Sequence, residues 1–269
     1  MEFQYPFLLF LGDARDQLAA KTANGVRVWR PDWCLGQFRF EDCKADCGVP
    51  DMTIEEAAEA GVKTVILGVV SRGGVIPGNW IDELVKALEL GMDIASGLHT
   101  RITHMPELVE AAKKHNRSLH DVRHPSREFD VGNGINRSGK RLLTVGTDVS
   151  VGKMFTALAI EQEMKKRGFD ADFRATGQTG IFIAGSGVSI DAVVADFISG
   201  AVEWLCPENS GNHWDIVEGQ GSLFNVSYAG VTLGLIHGSQ PDALVVCHEA
   251  GRPHMRSMPH FPLIDLPTC

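Results

Sequence analysis

The sequence predicts an α/β fold built on two parallel sheets, and three observations lead to this prediction. The chain has 269 residues, enough for two domains of ordinary size. Short apolar runs alternate with helix-like segments in both halves, which is typical of parallel sheets covered by helices. Residues 124–140 contain three glycines and two basic clusters and show no apolar periodicity. This segment is interpreted as a linker between a first domain at 1–123 and a second domain at 141–269.

The amino-terminal half is predicted to contain four strands with helices between them. The predicted strands are the apolar runs at residues 7–11, 62–70, 93–98 and 119–123. Helices are predicted to begin near Asp51 and at Pro106, where capping residues or a first-turn proline precede periodic segments. Arg72, Gly73 and Gly74 follow the second strand, where their backbone amides either approach a ligand or only form a turn.

The carboxyl-terminal half repeats the alternation of strands and helices. Strands are predicted at residues 141–145, 169–175, 214–218 and 243–247. Helices are predicted at 152–167 and 190–204, with a glycine-rich loop at 177–187 between them. The buried stripe of the first of these helices is expected to consist of Val151, Met154, Phe155 and Leu158.

Composition excludes several functions. The net charge of −9 and the pI near 5.5 disfavour non-specific binding to nucleic acid. No apolar run reaches 18 residues and the first residues lack a signal-peptide pattern, so a cytoplasmic protein without a membrane partner is expected. The six cysteines do not form a disulfide framework. Cys34, Cys43 and Cys47 alone are a weak metal pattern, and no metal is expected.

The most specific motif is a phosphate loop of the G-x-x-x-x-G-K type. It consists of Gly146, Thr147, Asp148, Val149, Ser150, Val151, Gly152 and Lys153. A predicted strand precedes it and a predicted helix follows it, which is the structural context that the motif requires. The glycines let successive backbone N–H groups turn inward, and the helix start and Lys153 add positive charge. The motif therefore predicts a site for phosphate groups.

The residue after this motif, Met154, separates two kinds of phosphate chemistry. Nucleoside triphosphatases place a serine or threonine here to hold Mg²⁺ between the β- and γ-phosphates. A thioether is a poor ligand for that cation. The loop is therefore expected to hold a diphosphate without cleaving it, and coenzyme A carries such a group. An ATP-dependent ligase or kinase and a non-catalytic nucleotide-binding regulator remain the alternatives.

Polar residues near the predicted strand ends of the second domain are candidates for catalysis. Glu218 follows an apolar strand, is expected to face the phosphate loop, and ranks first as a general base. His237 ranks second and Asp196 third, and His248 ends an apolar run in the same way as His237. Each of them has a structural alternative, such as a core histidine or a paired acid at the edge of the core.

Arginines are the candidates for binding substrate carboxylates. Arg174 follows a predicted strand and precedes glycines. Its guanidinium can therefore bind a carboxylate through two parallel hydrogen bonds, or it forms an ion pair on the surface. Arg72 and Arg252 are the further candidates.

Seven sequence motifs together resemble one known family. They are G-D-A at 12–14, W-R-P-D-W-C at 29–34, G-L-H-T-R at 97–101, G-T-D-x-S-V-G-K-M at 146–154, R-A-T-G-Q-T-G-I at 174–181, E-G-Q-G-S-L at 218–223 and H-G-S-Q-P-D-A at 237–243. The family is a two-domain P-loop family, long catalogued as of unknown function, that includes the D-glutamate N-acetyltransferases. The match spans essentially the whole chain.

This resemblance implies a Rossmann-like amino-terminal domain and a P-loop NTPase-like carboxyl-terminal domain similar to dethiobiotin synthetase. It implies transfer of the acetyl group of acetyl-CoA to the amino group of D-glutamate. Residues 146–154 would then bind coenzyme A, and Arg174 with Arg72 or Arg252 would bind the substrate. Family members continue beyond the position of Leu266, so further elements are expected to complete the second sheet. A homo-oligomer is expected as well.

Overall fold

The computed structural model describes residues 3–69, 76–125 and 127–266. In it the chain consists of two compact units, divided between residues 124 and 125 of the sequence. The segment interpreted as a linker lies against the second unit. The backbone amide of Asn133 donates to the carboxylate oxygens of Glu203 at 3.1 and 3.0 Å. The guanidinium of Arg137 donates to the Gly238 carbonyl at 2.6 Å. Much of this segment is therefore a strap fixed to the second unit.

The first unit is built on a five-stranded parallel sheet. Its strands are β1 (Phe7–Gly12), β2 (Cys34–Arg39), β3 (Thr64–Leu67), β4 (Asp93–Ser96) and β5 (Leu119–Asp121), in the order β2-β1-β3-β4-β5. Every residue of β1 is buried. The sequence predicted four of these strands and missed β2, because Gln37 and Arg39 interrupt its apolar pattern. The buried amide of Gln37 donates instead to Asp46 and Asp51, at 2.9 and 3.0 Å.

Helices connect the strands of the first unit. Within the described residues they are α1 (Lys21–Trp29), α2 (Ile54–Glu59), α3 (Gly78–Glu89) and α4 (Pro106–His115). A reciprocal cap starts α2, since the Thr53 hydroxyl accepts from the Glu56 amide and the Glu56 carboxylate accepts from the Thr53 amide. Pro106 opens α4 as predicted. Arg72, Gly73 and Gly74 lie outside the described residues.

The second unit contains a four-stranded parallel sheet. Its strands are β6 (Lys140–Gly146), β7 (Ala171–Arg174), β8 (Trp214–Val217) and β9 (Ala243–Cys247), in the order β7-β8-β6-β9. A short antiparallel hairpin follows, formed by β10 (His254–Met255) and β11 (Met258–Pro262). The four parallel strands correspond to the predicted ones. Because β6 is an inner strand, the phosphate loop at its carboxyl end lies between the ends of β8 and β9.

The helices of the second unit differ from the prediction in two places. They are α5 (Lys153–Lys166), α6 (Gln178–Ala184), α7 (Ile198–Leu205) and α8 (Ala229–Ser239). The predicted loop at 177–187 is wrong, since it contains α6. The predicted helix at 190–204 is also wrong, since two 3₁₀ turns, Ile190–Ala192 and Ala195–Phe197, precede the shorter α7. None of the helices in the described parts of the chain combines the length and apolarity of a membrane span.

Helix α5 packs on the sheet through a stripe that only partly matches the predicted one. Ala157 is buried together with Ala171 and Ile216, and Ile160 and Met164 pack against this group. These helix positions share one face, because they are spaced by three and four residues. Of the predicted stripe, Leu158 is buried as expected, whereas Phe155 is 41% exposed and was predicted wrongly.

Candidate functional site

The phosphate loop, residues 146–153, leaves β6 and enters α5 in a tight curl. Ser150 and Gly152 adopt left-handed backbone conformations, with φ of +56° and +98°. Gly146 has no room for a side chain, because an added Cβ would lie 2.6 Å from Cγ2 of Val151. A curl of this kind turns successive N–H groups toward one point, where an anion can bind.

The loop also offers unpaired hydrogen-bond donors. Within the described residues, the backbone N–H groups of residues 150–154 donate to no protein acceptor. Helix α5 begins at Lys153 without a side-chain cap. Unpaired amides at a helix start carry a partial positive charge, so this position suits the oxygens of a phosphate group.

Lys153 is a buried cation beside the loop. Its Nζ donates to the Asp148 carbonyl at 2.8 Å. Burial lowers the pKa of Lys153 to about 8, although Cys247, Asp148 and Glu218 oppose this shift. The folded protein therefore binds the Nζ proton weakly, and an anion placed next to Nζ would raise the pKa of Lys153 again.

Asp148 joins three loops through its fully buried carboxylate. Oδ1 accepts from Nδ2 of Asn225 at 2.7 Å. Oδ2 accepts from the guanidinium of Arg252 at 3.0 Å and from the backbone amide of Arg256 at 2.5 Å. Burial raises the pKa of Asp148, but these hydrogen bonds outweigh burial and bring the pKa below its ordinary value. The carboxylate is thus an ionised anchor of the loop and not a proton acceptor for a substrate.

Arg252, a predicted substrate ligand, lies on the phosphate loop. Besides Asp148, its guanidinium donates to the carbonyls of Val149 and Ser150, both at 2.9 Å. It also pairs with Glu249. These contacts brace the loop from outside, and a role for Arg252 in binding a carboxylate stays a prediction.

Glu218 follows β8 and is enclosed by neighbouring backbone. One carboxylate oxygen accepts from the amides of Thr176 and Gly177 at 2.9 and 3.1 Å, and the other accepts from Gln220 at 3.1 Å. An added Cβ at Gly180 would lie 2.3 Å from the first of these oxygens. Burial raises the pKa of Glu218 to about 7, against the effect of these hydrogen bonds. The glycines that made this region look like a loop are what allows α6 to pack on the carboxylate.

Arg174, the leading candidate for a substrate carboxylate, is paired within the protein. Its Nε donates to Oδ1 of Asp215 at 2.6 Å. The side chain of Asp215 is 2% exposed and also lies 3.2 Å from Nε2 of His213. The structure therefore matches the ion-pair alternative, here with a buried partner, and binding of a substrate by Arg174 stays a prediction.

The fold separates the remaining candidate bases. His237 is exposed in the last turn of α8, shortly before β9 begins, and so lies at the amino edge of the sheet, away from the phosphate loop. Asp196 is exposed in the 3₁₀ turn before α7. His248 follows β9, and its Nδ1 lies 3.1 Å from Oγ1 of Thr147 in the phosphate loop. Of the two histidines, the structure brings His248 to the loop and does not bring His237.

Asn225 is a site residue that the sequence analysis missed. It is fully buried, and besides holding Asp148 it organises its own loop. Its Oδ1 accepts from the amide of Ser227 at 3.1 Å, and its carbonyl accepts from the amides of Tyr228 and Ala229 at 3.0 Å. One signal was present in the sequence, since Asn225 lies within residues 219–236, a run without a charged side chain.

Comparison with known proteins agrees with this architecture. Residues 38–125 match the family model described as the Rossmann-like domain of DUF1611, and residues 130–269 match the model of its P-loop domain, both of unknown function. A crystal structure of a DUF1611 family protein from Anabaena variabilis superposes with a TM-score of 0.88 at 33% identity, covering 98% of this chain and 80% of that one.

Two curated relatives carry a functional name. A D-glutamate N-acetyltransferase of Tritonibacter scottomollicae is 55% identical over 263 residues, which is 98% of this chain and 78% of that protein. A D-glutamate N-acetyltransferase of a Pseudoalteromonas species is 52% identical over 267 residues, 98% of this chain and 80% of that protein.

The fold and the site define a protein that combines a Rossmann-like unit with a P-loop unit. The matches above place it among the N-acetyltransferases. The chain belongs to the DUF1611 family and, within it, to the family of the D-glutamate N-acetyltransferases.

Proposed function

We propose that this protein transfers the acetyl group of acetyl-CoA to the amino group of D-glutamate, with residues 146–153 holding the coenzyme A diphosphate. The observation that carries the proposal is a phosphate loop with unpaired amides and a buried Lys153, followed by Met154 instead of a metal-binding hydroxyl. Such a loop fits a diphosphate that is bound and not cleaved. The names of the two curated relatives support D-glutamate as the acceptor.

The reaction requires the removal of two protons from the substrate nitrogen. A base takes one from the ammonium group, and the freed lone pair attacks the thioester carbonyl carbon while the C–S bond breaks. A second proton passes from nitrogen to the departing sulfur, and the base releases its own proton to water. Backbone amides near the thioester would stabilise the oxygen that becomes negative during the attack.

The length of coenzyme A restricts where that base can lie. Twelve bonds separate the diphosphate ester oxygen from the sulfur, about the length of four extended residues, or about 14 Å. Glu218 and His248 both lie beside the phosphate loop, so a thioester at the end of an extended arm would lie out of their reach. Both oxygens of Glu218 also accept hydrogen bonds within the protein. We therefore assign Glu218 to holding the backbone at Thr176 and Gly177 rather than to proton transfer.

The two carboxylates of D-glutamate require cationic partners. Arg174 and Arg252 already hold Asp215 and Asp148. Binding a substrate would require either arginine to leave a buried carboxylate, which is unfavourable. Arg72 stays a prediction as a substrate ligand, outside the described residues.

The test is an acetyl-transfer assay with the full chain, acetyl-CoA and D-glutamate, which follows free thiol and N-acetylglutamate. We expect product with D-glutamate, less with L-glutamate, and the same rate in EDTA. Met154→Thr should improve binding of Mg–ATP, and Met154→Leu, which stays apolar, should not. Transfer that stops in EDTA and returns with Mg²⁺ would refute the diphosphate role. Phosphate release from ATP that depends on D-glutamate, without acetyl transfer, would favour the ligase or kinase alternative.

A further inference from the structure

The two oxygens of the Asp148 carboxylate anchor two loops of different chemical character. On Oδ1 lies the uncharged loop, residues 222–228, which Asn225 fixes at 2.7 Å. On Oδ2 lies the basic segment, residues 249–256, which Arg252 and the amide of Arg256 fix. Since both loops start from strands that flank β6, they border the phosphate loop on its two sides.

The uncharged loop presents apolar side chains to solvent. Leu223 is 49% exposed, Val226 is 70% exposed and Tyr228 is 49% exposed. Ser222, just before Leu223, and Asn225, just before Val226, are fully buried, so the loop is anchored while these apolar side chains are exposed. Three such side chains within six residues, on a loop without charge, form a patch that favours an apolar ligand group.

The basic segment has the opposite character. It contains Arg252, His254 and Arg256, against one acid, Glu249, which pairs with Arg252. The Arg256 side chain is exposed, and its backbone amide holds Asp148. The guanidinium of Arg256 can therefore contact the phosphate group of a ligand while its backbone amide stays bonded to Asp148.

Coenzyme A has the same asymmetry about its diphosphate. On one side is an uncharged pantetheine arm with methyl and methylene groups, and on the other is an adenosine with a 3′-phosphate. We propose that acetyl-CoA lies with its pantetheine arm on the uncharged loop and its 3′-phosphate on the basic segment. This inference rests on the proposed function and adds the direction in which the cosubstrate crosses the phosphate loop.

The test uses three ligands that differ by one part each. Coenzyme A has both ends, dephospho-coenzyme A lacks the 3′-phosphate, and ADP lacks the arm and the 3′-phosphate. The double variant Leu223→Ser/Val226→Ser should weaken binding of both coenzymes about tenfold in calorimetric titration and leave ADP unchanged. Arg256→Gln should weaken coenzyme A alone, about three- to tenfold. Leu244→Ser, on β9 and 53% exposed, is the matched control and should change none of the affinities.

Several outcomes would overturn the inference. If the double variant binds all three ligands as the wild type does, the uncharged loop is not part of the site. If its oligomeric state changes while its affinity for the coenzymes does not, the apolar patch is a contact between proteins. An equal loss of affinity for ADP and coenzyme A in the single variant Val226→Ser would mean that the uncharged loop affects binding only by changing the phosphate loop. Failure of the wild-type chain to transfer acetyl groups would refute the proposed function instead. Transfer by a wild type whose variants lack the expected pattern would refute this inference alone.

Discussion

Replacing Lys153 by methionine should change ligand affinity and stability in opposite directions. The apolar stem of the side chain is kept and the charge is removed. One charge-assisted hydrogen bond to a phosphate contributes about 1.5–3 kcal/mol, so the affinity for coenzyme A and for ADP should fall about ten- to a hundredfold at pH 7. Stability should rise instead. The difference between the ordinary pKa of 10.5 and about 8 corresponds to about 3 kcal/mol, of which the lost charge-assisted hydrogen bond to the Asp148 carbonyl offsets about 1.5 kcal/mol.

The pH dependence follows from the lowered pKa of Lys153. The wild type gains most stability from this lysine above pH 10.5, where the side chain is neutral. That stability is lost as the pH falls through about 8, because the folded protein must then hold a charge away from water. Ligand affinity changes the other way. The charged fraction of this lysine drops from about nine-tenths at pH 7 to about one-tenth at pH 9, so affinity should fall about tenfold. The methionine variant should show neither dependence.

Calorimetric titration of coenzyme A and ADP at pH 7 and 9, with thermal unfolding between pH 6 and 10, measures both effects. Lys166→Met removes an exposed charge from the last turn of the same helix and is the control, with no change expected in affinity. Unchanged affinity in the Lys153 variant would place the anion elsewhere. A variant that is less stable than the wild type at pH 7 would show that burial does not disfavour the charge on this lysine.

Two further substitutions test the acids and arginines of the second unit. The first is Glu218→Gln. Its unfolding free energy relative to wild type should rise by about 3 kcal/mol between pH 4.5 and 8, because the raised pKa makes ionisation of Glu218 destabilise the wild type as the pH passes through about 7. Urea unfolding of both proteins at the two pH values measures this difference, and a difference that does not change with pH would contradict the burial argument. Arg174→Lys should lower stability by about 1–3 kcal/mol, because a point charge replaces the planar group that holds buried Asp215. The KM for D-glutamate should stay unchanged in this variant, and a raised KM at full stability would restore Arg174 as a substrate ligand.

The parts of the fold that local sequence determines were predicted well. The phosphate loop was recognised because its glycines and Lys153 lie within eight residues and the flanking strand and helix are strongly patterned. The parallel sheets follow from the alternation of apolar runs and helices. Strand β2 was missed because its polar Gln37 is buried through hydrogen bonds to Asp46 and Asp51. The order of apolar and polar residues along the strand does not show these partners.

The parts of the site that depend on distant contacts could not be predicted. The carboxylate of Asp148 meets Asn225, Arg252 and the amide of Arg256, which are 77 to 108 residues away in the sequence. For Arg174 the sequence left both a substrate carboxylate and an ion pair open, because the buried partner Asp215 lies 41 residues further on. In each case the fold supplies a partner that the neighbouring sequence does not show.

Lys153 and Glu218 are two buried ionisable groups whose pKa values bear on the proposed binding of a diphosphate. Their pKa values shift toward each other, to about 8 and about 7, because burial disfavours both charges. The folded protein therefore keeps a cation partly desolvated and without a carboxylate in direct contact among the described residues. A diphosphate next to Nζ would remove that penalty and raise the pKa of Lys153 again, so part of the free energy lost in folding is recovered in binding. In the proposed arrangement Lys153 and the backbone amides hold the diphosphate, and Met154, whose thioether is a poor ligand for Mg²⁺, stands where a metal-binding hydroxyl would be.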